Sequence, residues 1–414
     1  MIARIQKGLP QGQIPAPPSK SYTQRYLLAA ALAQGKSVIR GVADSEDIRA
    51  ALDCIRALGA SYKRQGNNLV ITGKTGAFSE KEGKEPFVSF PCRESGNTLR
   101  FFIPVSMTYF PVSVFYGSKR LMERGISVYE ELFRDRNVTI RYLDGEKPGV
   151  RIEGMLKPGP YTLRGDISSQ FVTGLLYALP LLDGDSTLTV LPPVESRTYI
   201  DMTLALLADF GIRIEEPERD HFLIRGGQRY QAGEYTVEGD WSNAAFLHAF
   251  KALGADLSIT GLSEESLQGD RVCVNYFRQL DEPDPLLDIS GCPDLGPVLF
   301  VIAALKHGAK ITGTRRLRIK ESDRAAVMKE ELLKCNVPMT VLENEVLIPD
   351  VAVGKPKEPF SGHNDHRIVM ALTVLSCVTG GEIKGCEAVN KTWPLFFEEM
   401  RRLKLSLEIE DDTE

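Results

Sequence analysis

An α/β fold built from six repeated helix-and-sheet units is what this sequence predicts, on three observations. A short polar opening recurs at Ser21, Ser95, Ser168, Ser242, Asp294 and His366, giving successive offsets of 74, 73, 74, 52 and 72 residues. Each opening leads into an apolar run of helix length. Each run is followed by a brief strand of alternating polarity that usually ends in glycine. A period of about 70 residues is longer than that of ordinary solenoid repeats, so compact domains of several units are expected rather than a superhelix.

The runs Tyr26 to Ala33, Phe171 to Leu182, Pro297 to Leu305 and Ile368 to Leu375 are apolar on nearly every helical face, which requires helices buried all round. Ser37 to Gly41, Val112 to Gly117, Ser186 to Val190, Leu257 to Gly261, Lys310 to Gly313 and Glu382 to Gly385 alternate with period two and read as half-exposed strands. A second, amphipathic helix follows in most units, as in Ile48, Leu52 and Ile55 or in Phe396, Met400 and Leu403. Ser127 and Glu130 have capping-box spacing, and Gly59 and Gly211 stand where a helix should stop. The repeat places two chain crossings near Pro18 and Val237. This divides the 414 residues into a discontinuous domain, 1–18 plus 237–414, and an inserted domain, 19–236, each with three units.

No stretch approaches the ~20 apolar residues of a membrane span, and the first residues lack a secretory pattern, so a cytoplasmic protein without membrane partners is expected. Seven scattered cysteines with no Cys-x-x-Cys pair argue for reduced, buried thiols. The net charge of −5 disfavours nucleic-acid binding. The acidic end, Glu408 to Glu414, reads as a solvated, frayed tail. A monomer with no cofactor is expected.

Cationic residues gather at the openings, where helix-start amides already favour anions. Lys20, Ser21 and Arg25 fall within about a turn and a half of one helix start. Gly96 in Glu94-Ser95-Gly96-Asn97 permits close approach of a ligand, and Arg100, Arg120 and Arg124 follow. Ser168, Ser169, Gln170, Ser196 and Tyr199 are neutral donors suited to phosphate or hydroxyl oxygens. Lys320-Glu321-Ser322-Asp323-Arg324, Asp365-His366-Arg367 and Lys391-Thr392 could form a clamp for a small polyanion with acid and base groups beside it. Any single motif could be a helix cap with solvated charges, but all fall at equivalent points of a repeat. Gly35-Lys36-Ser37 ends a helix rather than opening one, so it is no phosphate loop. His363 and His366 lack helical zinc spacing, and no metal is expected.

Taken together, Pro18-Ser19-Lys20-Ser21 with Arg25, Ser95-Gly96 with Arg100, Arg124, Ser168-Ser169-Gln170, Pro293-Asp294, Lys320 to Arg324, Asp365-His366-Arg367 and Asn390-Lys391-Thr392 resemble the 5-enolpyruvylshikimate-3-phosphate synthase family over nearly the whole chain. The resemblance implies the two-domain enolpyruvyl-transferase fold, with three units per domain around a pseudo-threefold axis. It also implies transfer of enolpyruvyl from phosphoenolpyruvate to the 5-hydroxyl of shikimate 3-phosphate. By the same carry-over Lys20, Asp294 and Glu321 are catalytic. Lys20, Ser21, Arg25, Ser168, Ser169, Gln170, Ser196, Tyr199, Asp294 and Lys320 hold shikimate 3-phosphate. Lys20, Gly96, Arg100, Arg124, Gln170, Arg324, His366, Arg367 and Lys391 hold phosphoenolpyruvate, which the discontinuous domain would chiefly serve while the inserted domain serves shikimate 3-phosphate. Departures from the common family pattern are Glu94, Ser95 and Asn97 in the second opening, where Asn-Ala-Gly-Thr is frequent, Gly125 where proline is usual, and Arg316 where asparagine is frequent. Two other readings are a catalytically silent binder of an anionic metabolite and a transferase acting on UDP-N-acetylglucosamine. The latter expects Lys-Asn where Lys20-Ser21 stands, and a loop cysteine missing from Gly117 to Ile126.

Overall fold

The computed structural model describes residues 1–74 and 87–411. The chain separates into two compact units, Met1–Ser19 with Glu238–Glu414, and Lys20–Val237. Both cuts fall one residue after the positions read from the repeat. Each unit has its own apolar core.

In the inserted unit the three central helices are Lys20–Leu32, Gly96–Ser106 and Ser169–Ala178. The strands after them are Lys36–Arg40, Val112–Gly117 and Ser186–Leu191. All three repeats share one pairing scheme. The post-helix strand runs parallel to one neighbour (Glu234–Thr236, Val88–Arg93 or Pro160–Arg164) and antiparallel to a hairpin on its other side, giving a four-stranded sheet. The first sheet borrows its parallel strand from the far end of the unit, since Glu234 pairs with Val38.

The discontinuous unit repeats the plan with helices Trp241–Ala252, Gly296–Leu305 and His366–Thr379. Its first nineteen residues complete two sheets. Gly12–Pro15 pairs in parallel with Leu257–Thr260, and Ile2–Ile5 inserts antiparallel between Gly381–Lys384 and Leu407–Glu410. Among the described residues the sheet of the fourth repeat has two strands only, and the missing hairpin accounts for the 52-residue offset. The acidic end is not frayed up to Glu410. Leu407–Glu410 is a paired strand, and Arg4 Nη1 donates to Glu410 at 2.8 Å. Residues 412–414 of the tail lie outside the described residues.

Burial around the whole circumference holds for the central helices. Every residue from Gly296 to Ala304 is buried. In Gly96–Ser106 the interior Pro104 has no N–H for the carbonyl of Arg100, four residues earlier. The buried Tyr129 hydroxyl takes that role, 2.8 Å from Arg100 O and 3.0 Å from Phe171 O. Gly174 makes the approach possible, since a Cβ there would lie 2.4 Å from the Tyr129 oxygen.

The capping-box expectation at Ser127 fails. Ser127 is the first helical residue, the preceding Ile126 donates its N–H to the Tyr142 hydroxyl at 3.3 Å, and Glu130 bonds Tyr142 instead of the helix start. Gly59 (φ 100) and Gly211 (φ 77) do terminate helices in the left-handed region. All seven cysteines are buried and unpaired. Among the described residues no helix is long and apolar enough to cross a membrane.

Candidate active site

Helix starts position the charged residues, and each unit carries its own cluster. Four of the six central helices have an oxygen-bearing cap whose side chain accepts a backbone N–H, and in two of them, at Ser95 and Ser168, the cap is the expected opening residue. Ser95 receives Thr98 N, Ser168 receives Gln170 N, Asp240 receives Asn243 N and Asp365 receives Arg367 N. In the fourth and sixth repeats the cap is therefore the aspartate upstream of Ser242 and His366. Asp294 lies in a short 3₁₀ turn, Pro293–Leu295, leading into its helix.

In the inserted unit Arg25 is buried, and among the described residues its hydrogen bonds go to no carboxylate. Its Nε donates to Thr203 Oγ1 (2.9 Å), Nη1 to Ser21 O (2.9 Å) and Nη2 to Tyr199 O (3.1 Å), and its guanidinium faces the rings of Phe101 and Tyr199. Burial lowers its proton affinity from the ordinary arginine value. Arg100 donates to Gln170 Oε1 at 2.7 Å and to the carbonyls of Arg124 and Gly125. The Arg124 guanidinium lies across Gly96, where a Cβ would stand 2.8 Å from Nη2. Lys20 Nζ reaches Asp47 Oδ2 at 3.0 Å, both about one-seventh exposed (14%). Gln24 joins two repeats, donating to Ser95 Oγ at 2.9 Å and accepting from Asn97 at 2.6 Å. Ser196 caps its helix in the left-handed region (φ 56), buried beside Tyr199 in sequence.

In the discontinuous unit Arg324, 1% exposed, is held by three carboxylates. Nε donates to Asp365 at 2.8 Å, Nη1 to Asp294 Oδ1 at 2.8 Å and Nη2 to Glu321 Oε2 at 2.8 Å. Lys320 Nζ also donates to Asp294 Oδ1 at 3.0 Å, while Arg367 Nη2 stands 3.8 Å from Oδ2. Arg367 is anchored through Nη1 on Ser242 O (2.7 Å) and Asn243 Oδ1 (3.2 Å). Lys391 Nζ donates to Asn364 O at 2.5 Å. His366 is buried beside Asp365.

Neighbouring carboxylates in this cluster respond in opposite directions. Burial acts to raise the Asp365 pKa, but the Arg324 charge and hydrogen bonds outweigh it and hold the carboxyl below its usual range. Asp270 accepts the Ser242 hydroxyl, yet burial first, and then the charge of Asp294, push it up to about 6. Burial likewise lowers the pKa of Lys320 against the pull of Asp294.

The sequence-derived residues thus fall into two sets. Lys20, Ser21, Arg25, Gly96, Arg100, Arg124, Ser168, Ser169, Gln170, Ser196 and Tyr199 belong to the inserted unit, and Asp294, Lys320, Glu321, Arg324, His366, Arg367 and Lys391 to the other. Arg120 lies more than a third exposed, 3.7 Å from Glu123. Asp47, Gln24, Thr203 and Asp270 escaped sequence reading, because each is a single polar residue whose partner comes from another element. The family departures have local reasons. Gly125 has φ 64, which a proline ring forbids, and the buried Arg316 turns its Nη2 to the carbonyl of Ser290. His363 is engaged by Glu331 at 2.8 Å, away from His366.

Comparison with known proteins gives a consistent result. The family model described as EPSP synthase (3-phosphoshikimate 1-carboxyvinyltransferase) matches residues 6–400. A 3-phosphoshikimate 1-carboxyvinyltransferase of Clostridium kluyveri is 37% identical over 417 residues, covering 95% of each chain. The protein of that name from Clostridioides difficile is 36% identical over 415 residues, again 95% of each. Among solved structures, an EPSP synthase from Acinetobacter baumannii aligns with a TM-score of 0.76 at 23% identity, over 99% of this chain and 100% of that one. The enolpyruvyl transferase NikO from Streptomyces tendae aligns at 0.74 and 14% identity, over 98% of both. These two likenesses concern the fold.

Proposed function

The chain belongs to the EPSP synthase family, and from that premise we propose how its two charge clusters carry out the family's reaction. The activity is transfer of the enolpyruvyl group of phosphoenolpyruvate to the 5-hydroxyl of shikimate 3-phosphate, with release of phosphate. The observation that carries the residue assignments is the convergence of Arg324, Arg367 and Lys320 on Asp294, with Glu321 bonded to the same Arg324. Cations for a polyanion and carboxylates for proton transfer occupy one cluster.

In the addition step the 5-hydroxyl oxygen bonds to C2 of phosphoenolpyruvate, the C2–C3 double bond takes a proton at C3, and a tetrahedral intermediate forms. In the elimination step C3 returns a proton, the double bond re-forms and the phosphate leaves. We assign C3 protonation to Glu321, acceptance of the hydroxyl proton to Asp294, and assistance to that transfer or to the leaving phosphate to Lys20. Ser168, Ser169 and Ser196 would bind shikimate 3-phosphate on its phosphate side, and Ser21, Arg25, Gln170, Tyr199 and Asp294 on its ring and carboxylate side, with Lys320 as a further contact. Arg100, Arg124, Arg324, His366, Arg367 and Lys391 would surround phosphoenolpyruvate, with Gly96 leaving space and Gln170 holding Arg100 in place. Buried guanidiniums such as Arg25, resting on carbonyls and a hydroxyl, gain most from an incoming anion. The enzyme is read as a cytoplasmic monomer acting on these two small anions.

Phosphate release with both substrates, but not with either alone or with UDP-N-acetylglucosamine as acceptor, tests the reaction. Binding of shikimate 3-phosphate without release would favour a silent binding protein. Asp294→Ala should lower kcat by about 10²- to 10⁴-fold, with the two KM values changed far less. An equal loss in kcat and substrate affinity would sink the base assignment.

A further inference from the structure

Glu331, in the helix Arg324–Lys334, is 1% exposed, and among the described residues its hydrogen bonds and ion pairs go to none of those assigned to substrate. They go to one segment or to the lysine that also holds it. His363 Nε2 lies 2.8 Å from Oε1, Ser361 N donates to Oε2 at 3.0 Å, and Lys334 Nζ stands 2.9 Å from Oε2 while donating to Pro359 O at 2.9 Å. Burial works against this carboxylate, but the bonds from His363 and Lys334 prevail and hold its pKa below the usual range.

The tethered segment is strained. His363 (φ 48) and Asn364 (φ 50) are successive non-glycine residues in the left-handed region, a conformation that L residues adopt at a cost. Its other side is clamped as well. Gly362 N donates to Lys384 O at 2.7 Å, and a Cβ on Gly362 would lie 2.8 Å from Gly385 O. The strained turn delivers two things. Asn364 O receives the Lys391 ammonium at 2.5 Å, and Asp365 caps the next helix while holding Arg324.

We propose that Glu331 is a positioning residue, which through His363 and Ser361 fixes the left-handed turn at 363–364 and so sets the carbonyl on which Lys391 rests. The inference builds on the assignment of Lys391 to phosphoenolpyruvate. Without its tether the turn relaxes toward ordinary backbone angles, Asn364 O moves, and the ammonium loses this bond.

Steady-state kinetics and thermal denaturation of four variants test this. Lys391→Met should raise KM for phosphoenolpyruvate about tenfold or more, the loss of one charge-assisted bond. Glu331→Ala and His363→Ala should raise it about fivefold, with KM for shikimate 3-phosphate within about twofold of normal. His363→Gln, whose amide nitrogen can replace Nε2 as donor to Glu331, should restore most of the loss. His363 is about one-fifth exposed (21%), so its variants remain informative even if Glu331→Ala fails to fold. A normal phosphoenolpyruvate KM in His363→Ala, alongside a raised one in Lys391→Met, overturns the inference. So does an equal rise for both substrates that tracks a fall in Tm. A normal KM in Lys391→Met removes the Lys391 assignment itself, and this inference with it.

Discussion

Asp270 and Asp365 show how one partner decides the state of a buried carboxyl. Both are almost fully buried in the discontinuous unit, but Asp365 is paired with Arg324 whereas Asp270 has the Ser242 hydroxyl and the field of Asp294. With a folded pKa of about 6 against ~3.9 for an unperturbed aspartate, the native state binds the proton more tightly. The stability contributed by neutral Asp270 is complete below the unfolded pKa and is lost as pH rises through about 6. Asp270→Asn keeps an acceptor for Ser242 and cannot ionise. It should therefore stabilise the protein at pH 8 by roughly 3 kcal/mol, and by only about 1 kcal/mol at pH 4.5. Melting curves at both pH values check this, and an equal offset at both would contradict it. At Gly96 the neighbour is the mobile end of Arg124. Gly96→Ala should leave Tm nearly unchanged, displace the guanidinium and raise KM for phosphoenolpyruvate about tenfold, a change seen directly in steady-state kinetics.

The elements were legible in the sequence where their signal is local. The apolar runs after Ser21, Ser95 and Ser168 became buried helices because no solvent-facing stripe interrupts them, and period-two segments such as Val112–Gly117 became strands. Capping was legible only in part. Two helix caps are aspartates just upstream of the expected Ser242 and His366, and Ser127 loses its box because the Tyr142 hydroxyl engages both Glu130 and the Ile126 N–H. Candidate site residues carried by motifs, such as Lys320 to Arg324, are legible in the sequence. Asp270 and Glu331 are not, since nothing nearby in sequence shows that a distant element will enclose them. Tyr129 belongs with these, serving a carbonyl that Pro104 leaves without its helical donor. Tyr129→Phe strands that carbonyl in an apolar interior and should destabilise the inserted unit by about 1–3 kcal/mol. Chemical denaturation gives the figure, and a cost near zero would mean that the carbonyl finds another donor.

At the scale of the whole molecule, the repeat exposed the two crossings but not which strands complete which sheets. Those pairings join residues hundreds of positions apart, beyond the reach of any periodic signal. The inserted unit has its own core, and its first sheet is closed by its own last strand, Glu234–Thr236. Residues 20–237 expressed alone should fold cooperatively, with native-like circular dichroism and a single melting transition, and should release no phosphate from phosphoenolpyruvate. A molten, dye-binding product would show that this core depends on the rest of the chain.

The strand Ile2–Ile5 sits between two strands from the other end of the chain, and Arg4 bonds Glu382, 378 residues away. On a ribosome this makes the earliest residues among the last to find their places. The inserted unit has all its strands once residue 237 has emerged, whereas the amino-terminal strand must wait, unpaired, until its partners are synthesised. Its brevity at four residues, with Arg4 on its solvent face, limits the edge it offers to other chains during that delay.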